Sequence, residues 1–114
     1  MRPVFSVVMP TYGVEKYIEK AIRSVQAQTF ENWELLVIDD CTCDQSAEIA
    51  CEIAETDSRI RIVHHEINQG LSAARNTGIQ EAVGEYIWFM DPDDWAEPEL
   101  MQAVAASLEK NRAE

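Results

Sequence analysis

Four times along this sequence a short apolar run gives way to a helical stripe, and that switch of period limits the fold more than any single residue does. Val4–Met9 (VFSVVM) is apolar at nearly every position and ends at Pro10. A run with no polar face fits a strand covered on both sides. From residue 14 to 28 the apolar positions are Val14, Tyr17, Ile18, Ala21, Ile22 and Val25, the i, i+3, i+4, i+7 stripe of an amphipathic helix. Trp33–Ile38 (WELLVI) is a second strand, stopped by Asp39 and Asp40. Asp44 or Ser46 then caps a second helix with Ala47, Ala50, Ile53 and Ala54 on one face. Arg59–His64 reads as a third strand, ended near Asn68-Gln69-Gly70. Leu71–Val83 is a third helix with Gly84 as its stop. Tyr86–Met90 (YIWFM) is a fourth strand, closed by Asp91-Pro92-Asp93-Asp94, and Pro98–Lys110 a last helix. Strands alternating with crossover helices, βαβαβαβα, make an open parallel sheet with helices on both faces. The 114 residues have the size of one ordinary domain, so 1–114 is read as a single unit.

Charge narrows the partners. The formal net charge is −12, and the acid is spread along both halves of the chain. Such a field repels phosphate backbones and anionic lipid, so neither nucleic acid nor a membrane surface has an electrostatic footprint here. No apolar run approaches the roughly 20 residues of a membrane span. The three cysteines, Cys41, Cys43 and Cys51, are too few for a disulfide framework, and Cys41-x-Cys43 lacks the spacing of a structural zinc site. A reduced, cytoplasmic chain is the expectation.

Four segments are not explained by core-forming patterns: Pro10-Thr11-Tyr12, Asp39-Asp40, Asn68-Gln69-Gly70 and Asp91-Pro92-Asp93-Asp94. Each directly follows a strand. In an open parallel sheet all strand ends share one edge, and ligands bind in the crevice there. Periodicity therefore gathers five carboxylates, a threonine, a tyrosine and an asparagine on one rim.

Carboxylates this close repel one another, and a hard divalent cation, Mg²⁺ or Mn²⁺, removes that repulsion. Diphosphate oxygens can complete its shell, and the metal then acts as a Lewis acid on a departing phosphate. A solvated turn whose Asp93 or Asp94 caps the following helix accounts for the same residues. Asp39 and Asp40 fit either loop and capping duties or acceptors for the N–H and hydroxyl groups of a nucleoside. Thr11 and Tyr12 are a plain turn or a small platform for a base. Arg75, early on the third helix, either offsets the rim's acidity or pairs with a neighbouring acid. His64 and His65 read as satisfied residues at a strand end, with a base as the alternative. Trp33 and Trp88 belong to the core, and Trp95 stands beside the acidic turn.

These residues, in this order, resemble the family-2 glycosyltransferases, inverting enzymes of the GT-A fold. Val7–Tyr12 resembles their opening strand and turn, Gln28-Thr29-Phe30 their Q-T-[YF], and Leu36–Asp40 the V-[DV]-D-[GS] region. Asn68–Ile79 is similar to N-x-G-x-x-x-A-R-N-x-G, and Gly84–Asp94 to the metal-binding strand and D-x-D-D turn. The likeness covers nearly all of residues 4–101. Two departures are visible: Gly13 stands where the family often has asparagine, and Cys41-Thr42-Cys43 replaces a glycine-serine-threonine loop.

The resemblance implies a Rossmann-like half of a GT-A fold that binds a nucleotide-sugar. Pro10, Thr11, Tyr12, Asp39, Asp40 and Arg75 would line the base and ribose. Asp91 would approach the ribose or sugar, and Asp93 with Asp94 would hold Mn²⁺ or Mg²⁺ on the diphosphate. It implies a UDP-sugar donor, a role in polysaccharide biosynthesis, and an acceptor (a sugar, lipid-linked or protein-linked) that the residues do not identify. Family members continue for roughly another hundred residues with the acceptor site and a catalytic carboxylate. The chain is therefore expected to be truncated on its C-terminal side, with its base beyond residue 114. Membrane-face attachment would come through a further region or partner, and exposed apolar surface would favour self-association. The alternative is a nucleotide-diphosphate-binding module without turnover. A receiver-type phosphotransfer domain would need its acidic pair after the first strand, and a nicotinamide Rossmann domain its G-x-G-x-x-G there; neither is present.

Overall fold

A computed structural model describes residues 3–92 and 97–112. The element order is β1 (Phe5–Thr11), α1 (Ile18–Gln26), β2 (Trp33–Asp39), α2 (Ser46–Ala54), β3 (Ile60–His64), α3 (Leu71–Glu81), β4 (Tyr86–Phe89) and α4 (Leu100–Arg112). All strands pair in parallel, in the spatial order β3-β2-β1-β4. This is the expected alternation.

Position in the sheet explains the strand patterns. β1 and β2 are interior and buried at all seven residues each, as continuous apolar runs require. β3 and β4 are edges and only partly covered: β4 alternates between half-buried and exposed, and β3 buries Ile60 while leaving Arg61 and His64 open. Trp88, expected in the core, is half-buried on β4 and meets Phe5 edge-on at 5.8 Å. Phe5, Val7, Met9, Trp33, Leu35 and Val37 face α1, α2 and α4 in the larger core. Val8, Leu36 and Ile38 face α3 on the opposite side through Ala74.

The last helix runs from Leu100 to Arg112 rather than from Pro98 to Lys110, and α1 ends at Gln26 rather than Gln28; two further boundaries differ for a polar reason. α1 starts at Ile18 rather than Val14. The N–H groups of Gly13, Val14 and Glu15 donate instead to Thr42 Oγ1, Ser46 Oγ and Asp44 Oδ2, at 2.9, 3.0 and 3.1 Å. α3 ends at Glu81, and Gly84 is not its left-handed stop. Val83 N–H is drawn off to the buried Glu34 carboxylate at 2.8 Å, which also accepts the Ser6 hydroxyl at 2.5 Å. Gly84 is small because β1 passes close by: a Cβ there would lie 2.6 Å from Ser6 Oγ.

Gly78 brings α3 onto β1 in the same manner, since a Cβ would fall 2.2 Å from Val8 Cγ1. Alanine improves a helix interior by roughly 1 kcal/mol over glycine. Overpacking against a buried strand costs about 1–3 kcal/mol, and a 2.2 Å approach belongs at the upper end. Gly78→Ala should therefore lower stability by about 1–2 kcal/mol, read from the urea midpoint. An unchanged or higher midpoint would show that α3 is not held at this distance.

Candidate functional site

The chain winds from β1 out to β3, then crosses back over the other face to place β4 beside β1. Ligand crevices form at such a reversal, outside the carboxyl ends of the strands. A cleft of about 470 Å³ lies there. Its walls are Pro10 and Thr11 at the end of β1 with Tyr12 just past it, Asp91 and Pro92 after β4, Asp40 after β2, and Asn68, Gly70, Leu71 and Ala74 around the start of α3. Val14 and Tyr17 close the remaining side.

Of the residues expected at a nucleotide, Pro10, Thr11, Tyr12, Asp40 and Asp91 line this cleft, while Asp39 and Arg75 are not among its walls. Asp93 and Asp94, expected at a metal, lie outside the described residues, as does Trp95. Asp39 accepts the Thr42 N–H at 3.0 Å and pairs with His64 Nδ1 at 2.7 Å. Arg75 approaches Asp91 at 3.9 Å, and its guanidinium carbon stands 5.8 Å from the Phe89 ring centroid. Both charges of that pair are substantially exposed, so the contact holds Arg75 at the rim weakly.

Asp40 is the most constrained group of the site. Its main-chain N–H donates to Thr11 O at 3.0 Å, tying the ends of β1 and β2 together. Its carboxylate accepts the N–H groups of Gln69 and Gly70 at 2.8 and 2.9 Å and pairs with His65 Nδ1 at 2.8 Å. Asn68 Nδ2 donates to its carbonyl at 3.1 Å. Burial alone would raise this carboxyl, but the Gln69 N–H, His65 and Gly70 N–H outweigh it and hold the group below the usual carboxylate range. Asp40 is thus ionised and three-quarters occupied as an acceptor.

A second carboxylate fixes the other wall. Asp44 Oδ1 accepts the hydroxyls of Thr42 and Ser46 at 2.7 and 2.6 Å and the Ser46 N–H at 3.0 Å. Those two hydroxyls in turn accept from the N–H groups of Gly13 and Val14. Three successive amides of the β1–α1 loop therefore reach Asp44 directly or through one hydroxyl. That clamp presents Tyr12, which is more than half exposed, at the cleft.

The same loops account for the two departures from the family pattern. Gly13 has φ +65°, the left-handed region that asparagine also tolerates. Cys41 has φ +58°, which ordinarily costs a residue with a side chain about 1–2 kcal/mol and which glycine adopts freely.

Sequence reading missed Val14, Tyr17, Leu71 and Ala74 as walls, because each belongs to an apolar pattern that fills a core equally well. It placed Asn68 on the rim without a role. Nothing in the sequence joined His65 to Asp40 or to Thr77, whose hydroxyl meets His65 Nε2 at 2.7 Å. Gln28 was also unassigned: its side chain donates to Glu97 O at 2.7 Å and accepts the Met101 N–H at 3.0 Å. It thereby anchors the chain that follows the acidic turn.

Fold and cleft define an open α/β protein with its ligand crevice at the reversal of strand order. The chain belongs to glycosyl transferase family 2, whose family model matches residues 6–114. It is 43% identical to the uncharacterized glycosyltransferase EpsJ of Bacillus subtilis (strain 168) over 98% of its own length and 32% of EpsJ. It also superposes on S. aureus TarS 1-349 in complex with UDP-GlcNAc with a TM-score of 0.88 and 34% identity, over 96% of this chain and 32% of that one. The mannosyltransferase PcManGT from Pyrobaculum calidifontis, in complex with GDP-Man and Mn²⁺, matches with a TM-score of 0.76 and 26% identity, over 83% of this chain and 29% of that one. The chain thus spans about a third of the length of these relatives.

The Asp44 clamp has a pH signature. Burial raises this carboxyl, but the Ser46 and Thr42 hydroxyls with the Ser46 and Glu15 N–H groups outweigh it, bringing it down to about 2 from 3.8. A group depressed on folding stabilises the native state above its unfolded value, and that stability is lost as pH falls towards the folded one. Asp44→Asn should therefore destabilise the protein at neutral pH, and the difference should shrink between about pH 4 and pH 2. Denaturant unfolding of both proteins across that range checks it; a constant difference would refute the clamp's charge.

Proposed function

We propose that the full-length protein transfers a sugar from a nucleoside-diphosphate donor, a UDP-sugar, to an acceptor with inversion, in polysaccharide biosynthesis. The observation that carries this reading is the cleft itself. It occupies the carboxyl edge of a sheet that matches TarS, crystallised with UDP-GlcNAc, over 96% of this chain. Tyr12 offers an exposed ring for a base, and Thr11 and Asp40 form the floor between the ends of β1 and β2. Asp91 faces the open side, where a ribose or sugar would lie. The cytoplasm, where thiols such as Cys41, Cys43 and Cys51 stay reduced, is the compartment we assign. No helix among the described residues is long and apolar enough to cross a membrane.

The donor set fits a hard divalent cation. Asp91 keeps a half-exposed carboxylate at the rim, 3.9 Å from Arg75, and Asp93 and Asp94 follow in sequence. Oxygen-only ligands of this kind suit Mg²⁺ or Mn²⁺. Bound by Asp93 and Asp94, such an ion would neutralise the diphosphate as it leaves. The chain's own residues hold the nucleotide. Asp40 is committed to its internal donors and Asp91 to the rim, so inversion needs a general base from outside residues 1–114. Self-association draws support from Ile87 and Phe89, 39% and 43% exposed on the face of β4 that α3 leaves open.

UDP should bind this chain in Mn²⁺ and at least about tenfold more weakly in EDTA, because rim carboxylates and an anionic diphosphate repel each other without a cation. Asp93→Asn should remove that difference. Calorimetry decides, and equal affinity in Mn²⁺ and EDTA for the unaltered chain would overturn the metal role. A product assay with UDP-sugars and mixed acceptors should show nucleotide binding without glycosyl transfer for residues 1–114. Transfer at ordinary enzymatic rates, about 10 s⁻¹, would place the base inside them.

A further inference from the structure

His65 sits behind the cleft, not in it, and its surroundings are unusually complete. Its side chain is 7% exposed, and both ring nitrogens are engaged, Nδ1 with Asp40 Oδ1 at 2.8 Å and Nε2 with Thr77 Oγ1 at 2.7 Å. The Thr77 hydroxyl also lies 3.1 Å from Ala73 O, one helical turn back, which keeps its oxygen aimed at His65. Asp40, accepting two backbone N–H groups as a carboxylate, has no proton to give. With Nδ1 against the Asp40 carboxylate and Nε2 against the Thr77 hydroxyl, every polar atom of the ring is paired. The charged groups near this network are otherwise taken: Asp39 pairs with His64, Arg61 with Glu34 and Glu81, and Arg75 with Asp91, while Glu66 is exposed.

We propose that His65 is a positioning residue for the cleft: backed by Thr77, it holds the Asp40 carboxylate in the orientation that receives the Gln69 and Gly70 N–H groups. The loop from His65 to Gly70 is thereby fixed, and with it the wall made by Asn68, Gly70 and Leu71. The link runs from Thr77 on α3 through the His65 ring to the Asp40 carboxylate at the end of β2, and adds α3 to the backbone bond by which His65 N–H reaches Asp39 O at 2.8 Å. Its effect on a ligand rests on the reading of the cleft as a nucleotide site; its effect on the loop does not.

The test separates the two. In the full-length protein, His65→Gln should speed amide exchange at Gln69 and Gly70 by about tenfold or more, the loss of roughly one charge-assisted hydrogen bond, and leave the β1 amides unchanged. UDP affinity in Mn²⁺ should fall by a similar factor. Thr77→Ser should behave as the unaltered protein and Thr77→Val as His65→Gln, the reverse of the order expected if only the volume of Thr77 mattered. This pair also keeps the proposal testable if His65→Gln does not fold. Unchanged exchange at Gln69 and Gly70 in Thr77→Val would overturn the proposal, as would faster exchange with undiminished UDP affinity. Failure of the unaltered protein to bind UDP would instead defeat the nucleotide reading and leave the exchange result to judge His65.

Discussion

β1 and β2 are covered on both faces along their whole length, and the rest of the molecule follows from that burial. A strand in that position has room for almost no charge except where a partner is built for it, as for Glu34 with Ser6, Val83 and Arg61. Ionised groups are pushed past the strand ends, where a parallel sheet brings them to a common edge. Asp39, Asp40 and Asp91 share a rim because the interior of the sheet excludes them.

The cleft also needs the reversal at β1. α1, α2 and α4 cover one face, and α3 takes the other, seated on β1 and β2 at the close approach that Gly78 permits. With β4 added on the far side of β1, the loops after β1 and β4 diverge and leave a hollow between them. Strand-end pairing reaches the walls through the Asp40 and His65 N–H groups, which donate to Thr11 O and Asp39 O, but Gly13–Glu15, Gln69 and Gly70 turn their N–H groups to side chains. Asp40 and Asp44 supply the missing acceptors, Asp40 for the loop that leads into α3 and Asp44 for the loop that leads into α1. A chain with net charge −12 thus uses two of its acids as internal fasteners for backbone N–H groups. Both are held below the ordinary carboxylate range by those bonds.

Element type and order were legible in the sequence because the two periods, apolar run and helical stripe, are local properties of the chain. The rim was legible for the same reason, since each leftover segment lies at or soon after the end of a strand and parallel strands end together. Boundaries were less so. Val14–Tyr17 continues the stripe of α1 on paper, yet its neighbouring amides are claimed by side chains from the β2–α2 loop. Gly84 looks like a helix stop and is instead a contact with Ser6.

What the sequence alone determined is therefore the parallel α/β order, the acidic edge and, through motif likeness, the family. Tertiary structure decided which acids face the cleft and which hold it together. Asp39 and Asp40 are neighbours with one chemistry, but on a strand adjacent residues point to opposite faces of the sheet. Asp39 turns to Thr42 and His64, and Asp40 turns under α3 to His65, Gln69 and Gly70. Those partners lie 25 to 30 residues away from Asp40, and only the folded sheet brings them within hydrogen-bond reach.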